Sequence, residues 1–145
     1  MTAKEYLRNF RKTIINIRYK SDTKRERLER IESILTSPAV GELKRDKVQT
    51  SIDLRKQESM IVEKQLLEDD IRKLAQEEAA ILLRVGKQID GMETDLYARL
   101  LHLYYEENLT LAEIADIIHY SEDHTRHMHG YALSEFTRLY GNDII

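Results

Sequence analysis

Four of the five histidines in the chain, His119, His124, His127 and His129, fall close together, and His102 lies upstream. Imidazoles that near one another could hold a metal or carry protons. The metal reading fails on spacing. On a helix, His124-x-x-His127-x-His129 spreads its rings around the axis, and no cysteine or carboxylate set completes a coordination shell. Titration remains, since below pH 7 these rings would add positive charge and favour anions. Arg126 lies among them, and a guanidinium can bond the edge of a guanine through two donors. The carboxylates Glu68, Asp69 and Asp70 lie on a stretch whose other faces are also charged, so they read as solvated surface. No Ser/His/Asp order with a nucleophile elbow, no glycine-rich phosphate loop and no HExxH occurs. We expect no catalytic residue, no metal, no cofactor and no enzyme.

The elements that must position these residues follow from composition. One proline and five glycines in 145 residues leave few chain breakers, so long helices are expected. The absence of cysteine excludes disulfide scaffolds, thiol catalysis and cysteine-ligated metal. The longest apolar run, residues 79–83, is far too short to span a bilayer, and no signal-peptide core is visible. The expectation is a soluble cytoplasmic protein, without membrane contact.

The net charge of −3 hides a gradient. Residues 1–47 carry thirteen Lys and Arg against seven Asp and Glu, a net +6. Residues 48–92 carry seven against nine, a net −2. Residues 93–145 carry three against ten, a net −7. The distribution, rather than the mean, bears on partners.

Periodicity divides the chain into an all-α architecture. Leu7, Phe10, Ile14, Ile17, Ser21, Lys24, Leu28, Ile31 and Leu35 keep three-to-four spacing, which predicts one helix. Ser21 and Lys24 interrupt that stripe, and Thr23-x-x-Glu26 offers a capping box for a restart; continuity is the favoured reading. Pro38 excludes the helical region at Ser37 and ends the helix. A second helix runs from about Thr50 to Asp90, with its apolar stripe shifting phase near Leu66 and Leu67. Two long helices with a short connection are expected to form an antiparallel, coiled-coil-like hairpin over residues 1–92. So thin a hairpin leaves apolar faces uncovered, which points to a homodimer. Lys44, Arg45 and Lys47 near the connection could touch a nucleic-acid backbone or a partner, or simply pair with glutamates one helical turn away.

Residues 93–145 have shorter helices. Gly91 ends the long helix, and Thr94 can cap one over residues 95–106. Thr110-x-x-Glu113 is a capping box for a helix over 111–118. A turn at His119, Tyr120 and Ser121 leads to a helix from Glu122 to about Tyr140, capped by Ser121 and stopped by Gly141. Two helices across a three-residue turn fit a helix-turn-helix. Leu111, Ile114, Ile118, Met128, Ala132, Leu133 and Phe136 supply its interior, with Leu100, Leu101 and Tyr104 closing it. Ser121, Glu122, Asp123, Arg126, His127 and Gly130 then face outward as the candidate DNA-contacting set, with Arg126 the candidate for guanine. The eight tyrosines read mainly as packing.

The segment Leu103-Tyr-Tyr-Glu-Glu-Asn-Leu-Thr-Leu-Ala-Glu-Ile-Ala-Asp-Ile-Ile-His-Tyr-Ser121, followed by Ala132-Leu133 and Phe136, resembles region 4 of sigma-70-type factors. The opening Thr2-Ala3-Lys4-Glu5-Tyr6-Leu7, Val48-Gln49-Thr50-Ser51 and His129-Gly130-x-Ala132-Leu133 resemble a family of small phage and prophage proteins of Gram-positive bacteria. These end in a sigma-region-4-like domain and are similar in layout to the RinA and ArpU regulators of late phage transcription. The resemblance implies a transcriptional regulator that engages double-stranded DNA, RNA polymerase or both. The departures are chemical: only Arg126 and Arg138 are basic between Ser121 and Leu139, and Asp123 lies where DNA-facing side chains usually sit. Two other classes stay open. One is a protein-interaction adaptor using the acidic domain as a docking surface. The other is a DNA-packaging recognition subunit similar to small terminase subunits, which usually place the motif before the oligomerising helices.

Overall fold

A stripe interrupted by two polar residues still becomes one continuous helix in the computed structural model, which describes residues 1–37 and 47–144, the side chains of 47–52 excepted. Helix α1 is Ala3–Leu35 and α2 is Lys47–Asp90. Helix α3 is Asp95–Leu101, prolonged by a π-helical turn over His102–Glu106. Helices α4 (Leu111–Ile118) and α5 (Glu122–Tyr140) complete the described elements, none of which is a strand. None of these helices is long and apolar enough to cross a membrane.

Local chemistry accounts for the ends. Thr2 and Glu5 form a reciprocal capping box at α1: Glu5 N–H donates to Thr2 Oγ1 at 3.1 Å and Thr2 N–H to Glu5 Oε2 at 3.0 Å. Helix α1 does not break at its polar interruptions. Ser21 is small enough to be buried, and the ammonium of Lys24 reaches Asp70 Oδ2 at 3.2 Å.

The chain forms two compact units, one of residues 1–16 with 78–145 and one of residues 17–77. In the second, ion pairs join α1 to α2: Lys24 with Asp70, Arg27 with Glu63 at 2.8 Å, and Glu32 with Lys64 at 3.9 Å. Lys24 pairs further along α2, at Asp70, than Arg27 and Glu32 do, at Glu63 and Lys64, so these stretches run antiparallel. Ile17 and Ile31 are buried here, while Leu54, Ile61, Val62 and Leu66 of α2 stay exposed.

The first unit holds the larger core. Leu7, Phe10 and Ile14 of α1, Val85 and Ile89 of α2, Leu100 and Leu101 of α3, Ile114 of α4, and Met128, Ala132 and Phe136 of α5 bury together. Thus residues 1–16 and 78–92, read from periodicity as hairpin, share a core with residues 93–145. Tyr6 stacks on Phe136 with centroids 6.1 Å apart and donates its hydroxyl to Gln88 Oε1 at 2.7 Å.

Two local expectations change. Thr94 occupies the N-cap position of α3 but makes no side-chain cap bond; its hydroxyl donates to the Glu135 carboxylate at 2.8 Å. The helix expected over 95–106 widens at His102, where Glu107 N–H bonds back to the His102 carbonyl at 3.1 Å. The widening seats His102 between Asp90 and Glu106, 2.7 and 3.1 Å from a carboxylate oxygen of each. The Glu106 carboxylate chiefly, with help from that of Asp90, raises the imidazole above its ordinary value despite partial burial.

Candidate nucleic-acid interface

Helix α4 is held at its start by the expected box. Glu113 N–H donates to Thr110 Oγ1 at 3.2 Å, while Thr110 N–H donates to the Glu113 carboxylate at 3.4 Å. At its end His119 adopts the left-handed conformation, φ 63° and ψ 43°. Tyr120 N–H then bonds the Ala115 carbonyl at 3.1 Å, closing the turn. Ser121 caps α5, its Oγ accepting from His124 N–H at 3.1 Å. Thr125 is fully buried, and its hydroxyl donates to the Ser121 carbonyl at 2.8 Å. Ile114 and Ala115 of α4 bury near Thr125, Met128 and Ala132 of α5, so small and apolar residues fix how α5 lies.

The outward face of α5 carries the candidate set. Ser121, Glu122, Asp123, Arg126, His127 and Gly130 are all exposed. A Cβ added at Gly130 would meet no atom within 4 Å, so this surface is open. Arg126 lies 3.4 Å from Asp123 and 3.8 Å from Glu122. In this conformation Arg126 is paired on a solvated face. The ring of His127 bonds the Asp123 carbonyl through Nδ1 at 2.8 Å. The Ser121 hydroxyl oxygen is engaged as a cap. Lys44 and Arg45 lie outside the described residues; Lys47 begins α2, its side chain outside the described set.

His129 turns away from this face. Its Nε2 lies 3.0 Å from the Tyr105 hydroxyl, and its ring is 4.7 Å from that of Tyr104. Burial first, and the nearby Lys4 charge second, push the imidazole down to about 4. Burial likewise pushes Tyr105 up to about 12, so the two form a neutral pair at pH 7. His129 therefore contributes no titrating charge near neutral pH. Among the described residues no group of His, Cys, Asp and Glu is arranged to hold a metal ion.

Residue typing along the chain missed cations that tertiary structure brings to α5. Thr2, Ala3 and Lys4 line a shallow groove with Leu133, Ser134 and Thr137 of α5. The Arg11 guanidinium lies over the Tyr104 ring, 4.9 Å from its centroid. The signal available was the spacing Lys4, Arg8, Arg11, which places all three on one face of a helix. Their nearness to α5 depends on long-range packing. No protein-family model, curated protein or solved structure matches this chain.

Proposed function

We propose that the chain is a DNA-binding transcriptional regulator of phage type, working in the bacterial cytoplasm without enzymatic activity. In this reading an amino-terminal helical hairpin dimerises, and a sigma-region-4-like helix-turn-helix presents α5 to promoter DNA, to RNA polymerase or to both. One observation carries it. The short turn between α4 and α5 is fixed at both ends by capping, and α5 is buried along Thr125, Met128, Ala132 and Phe136 while residues 121–130 keep an open face. A helix held by its flanks with a free outer side is what groove entry needs. The exposed Leu54, Ile61, Val62 and Leu66 support dimerisation, since a second copy would bury them.

Arg126 supplies base readout by exchanging its contacts with Glu122 and Asp123 for a base edge. The same ion pairs favour the second reading, a docking module that meets a protein through an acidic face. Duplexes from the protein's own genomic neighbourhood, titrated beside random duplex, separate the two. The regulator reading expects sequence-dependent binding whose discrimination is lost in Arg126→Ala, at about 1–3 kcal/mol for a bidentate contact. No binding to any duplex at low salt leaves the docking module. A ring-sized oligomer in solution would instead favour the DNA-packaging reading.

A further inference from the structure

We infer that the phosphate-contacting surface of this protein is built by the first turns of α1, with Lys4, Arg8, Arg11 and Lys12 gripping the backbone of duplex DNA beside α5. The inference rests on the DNA-binding reading and locates the charge that reading lacks. Residues 93–145 carry a net −7, and α5 offers Arg126 already paired with two carboxylates. Backbone neutralisation supplies most sequence-independent affinity, so the acidic domain by itself is poorly equipped for it.

Within the compact unit of residues 1–16 and 78–145, four of the nine Lys and Arg fall at positions 4, 8, 11 and 12. Successive residues are about 100° apart around a helix, so these four share an arc of about 100°. Lys4, Arg8 and Lys12 are exposed and form no ion pair within 4 Å among the described residues. Glu5, the one acid of this stretch, is engaged in the Thr2 capping box.

Two contacts set this arc beside α5. Thr2 to Lys4 share a groove with Leu133, Ser134 and Thr137. Gly130 stands one turn back along α5 from Ser134, and Arg126 two turns back, on the same face. Arg11 stacks on Tyr104, whose ring touches His129 of α5. That stacking preorganises a guanidinium at the rim, and a planar fork suits a phosphate. The chemistry recognised is the phosphodiester backbone, with no sequence information of its own.

The test uses the full-length protein and a fluorescein-labelled random-sequence duplex, titrated by anisotropy between about 50 and 200 mM salt. Each phosphate contact steepens the dependence of log affinity on log salt by about 0.9, and weighs about fivefold at 0.15 M salt. A Lys4→Gln/Arg8→Gln variant, its fold checked by circular dichroism and melting, should lose about 30-fold in affinity and flatten the slope by about 2. Arg25→Gln/Arg30→Gln, which removes two exposed cations from the other compact unit, should change neither. Unchanged affinity and slope in Lys4→Gln/Arg8→Gln, while wild type binds, overturns this inference and leaves the DNA reading standing. An equal loss in both variants also overturns it, because the grip would not be located on these turns. Failure of the wild type to bind any duplex at low salt removes the DNA reading itself and this inference with it.

Discussion

Truncating Leu7 to alanine should loosen α5, more than a hundred residues away in sequence. Leu7 is fully buried, and its neighbours in the core include Phe136 and Ala132 of α5 together with Leu100 and Leu101 of α3. Removing a fully buried leucine side chain costs about 2–5 kcal/mol, the lost transfer energy plus the cavity left behind. If residues 1–16 and 78–145 share one cooperative core, that loss must be felt in α4 and α5 as well as at the start of α1. Every 1.4 kcal/mol is tenfold in an opening equilibrium, so peptides covering residues 111–140 should exchange their amide hydrogens at least about 30-fold faster. Hydrogen exchange read by mass spectrometry on wild type and Leu7→Ala measures this directly. Unchanged protection in α4 and α5, with faster exchange confined to the first turns of α1, would refute a shared core. It would restore a helix-turn-helix that stands independently of residues 1–92.

Four further outcomes follow from the geometry. His119→Gly should raise stability by about 0.5–1 kcal/mol in denaturant melts, because the left-handed strain removed exceeds the entropy that glycine adds to the unfolded chain. Gly91→Ala should destabilise by about 1–3 kcal/mol, since its methyl group would meet the Tyr140 hydroxyl; Tyr140→Phe in the same chain should recover much of the loss. His129 is held neutral by burial, so its contribution is full above pH 6.5 and falls away as the pH drops toward about 4. His129→Gln should therefore show a shallower fall in Tm across that window, whereas an identical profile would argue against the buried pair with Tyr105. His102 works in the opposite sense, contributing most below pH 6.5 and losing that contribution as the pH climbs through its raised value.

Much of the architecture was legible because local rules and tertiary packing agree. Three-to-four spacing marked α1, and the Thr110 box, the His119 turn and the Ser121 cap placed α4 and α5. Those signals lie within a few residues of what they control. The π-helical turn at His102 was not legible, because what it achieves, His102 between Asp90 and Glu106, joins residues of α2 and α3. Thr94 misled for the same reason, since its partner Glu135 lies on α5. The candidate face behaved likewise. Its exposure followed from helical phase, but the cations flanking it come from the opposite end of the chain. Charge summed by segment set residues 1–47 against 93–145, and only packing places Lys4 next to α5.

The most direct test of DNA contact through the outer face of α5 is a photocross-link from Gly130. That position is exposed and a Cβ added there meets no atom within 4 Å, which suits it to a benzoylphenylalanine. Irradiated with labelled duplex from its genomic neighbourhood, the Gly130 probe should form a covalent protein–DNA adduct, while the same probe at the exposed Ser33 should form none. Duplex binding without an adduct from Gly130 would contradict the account.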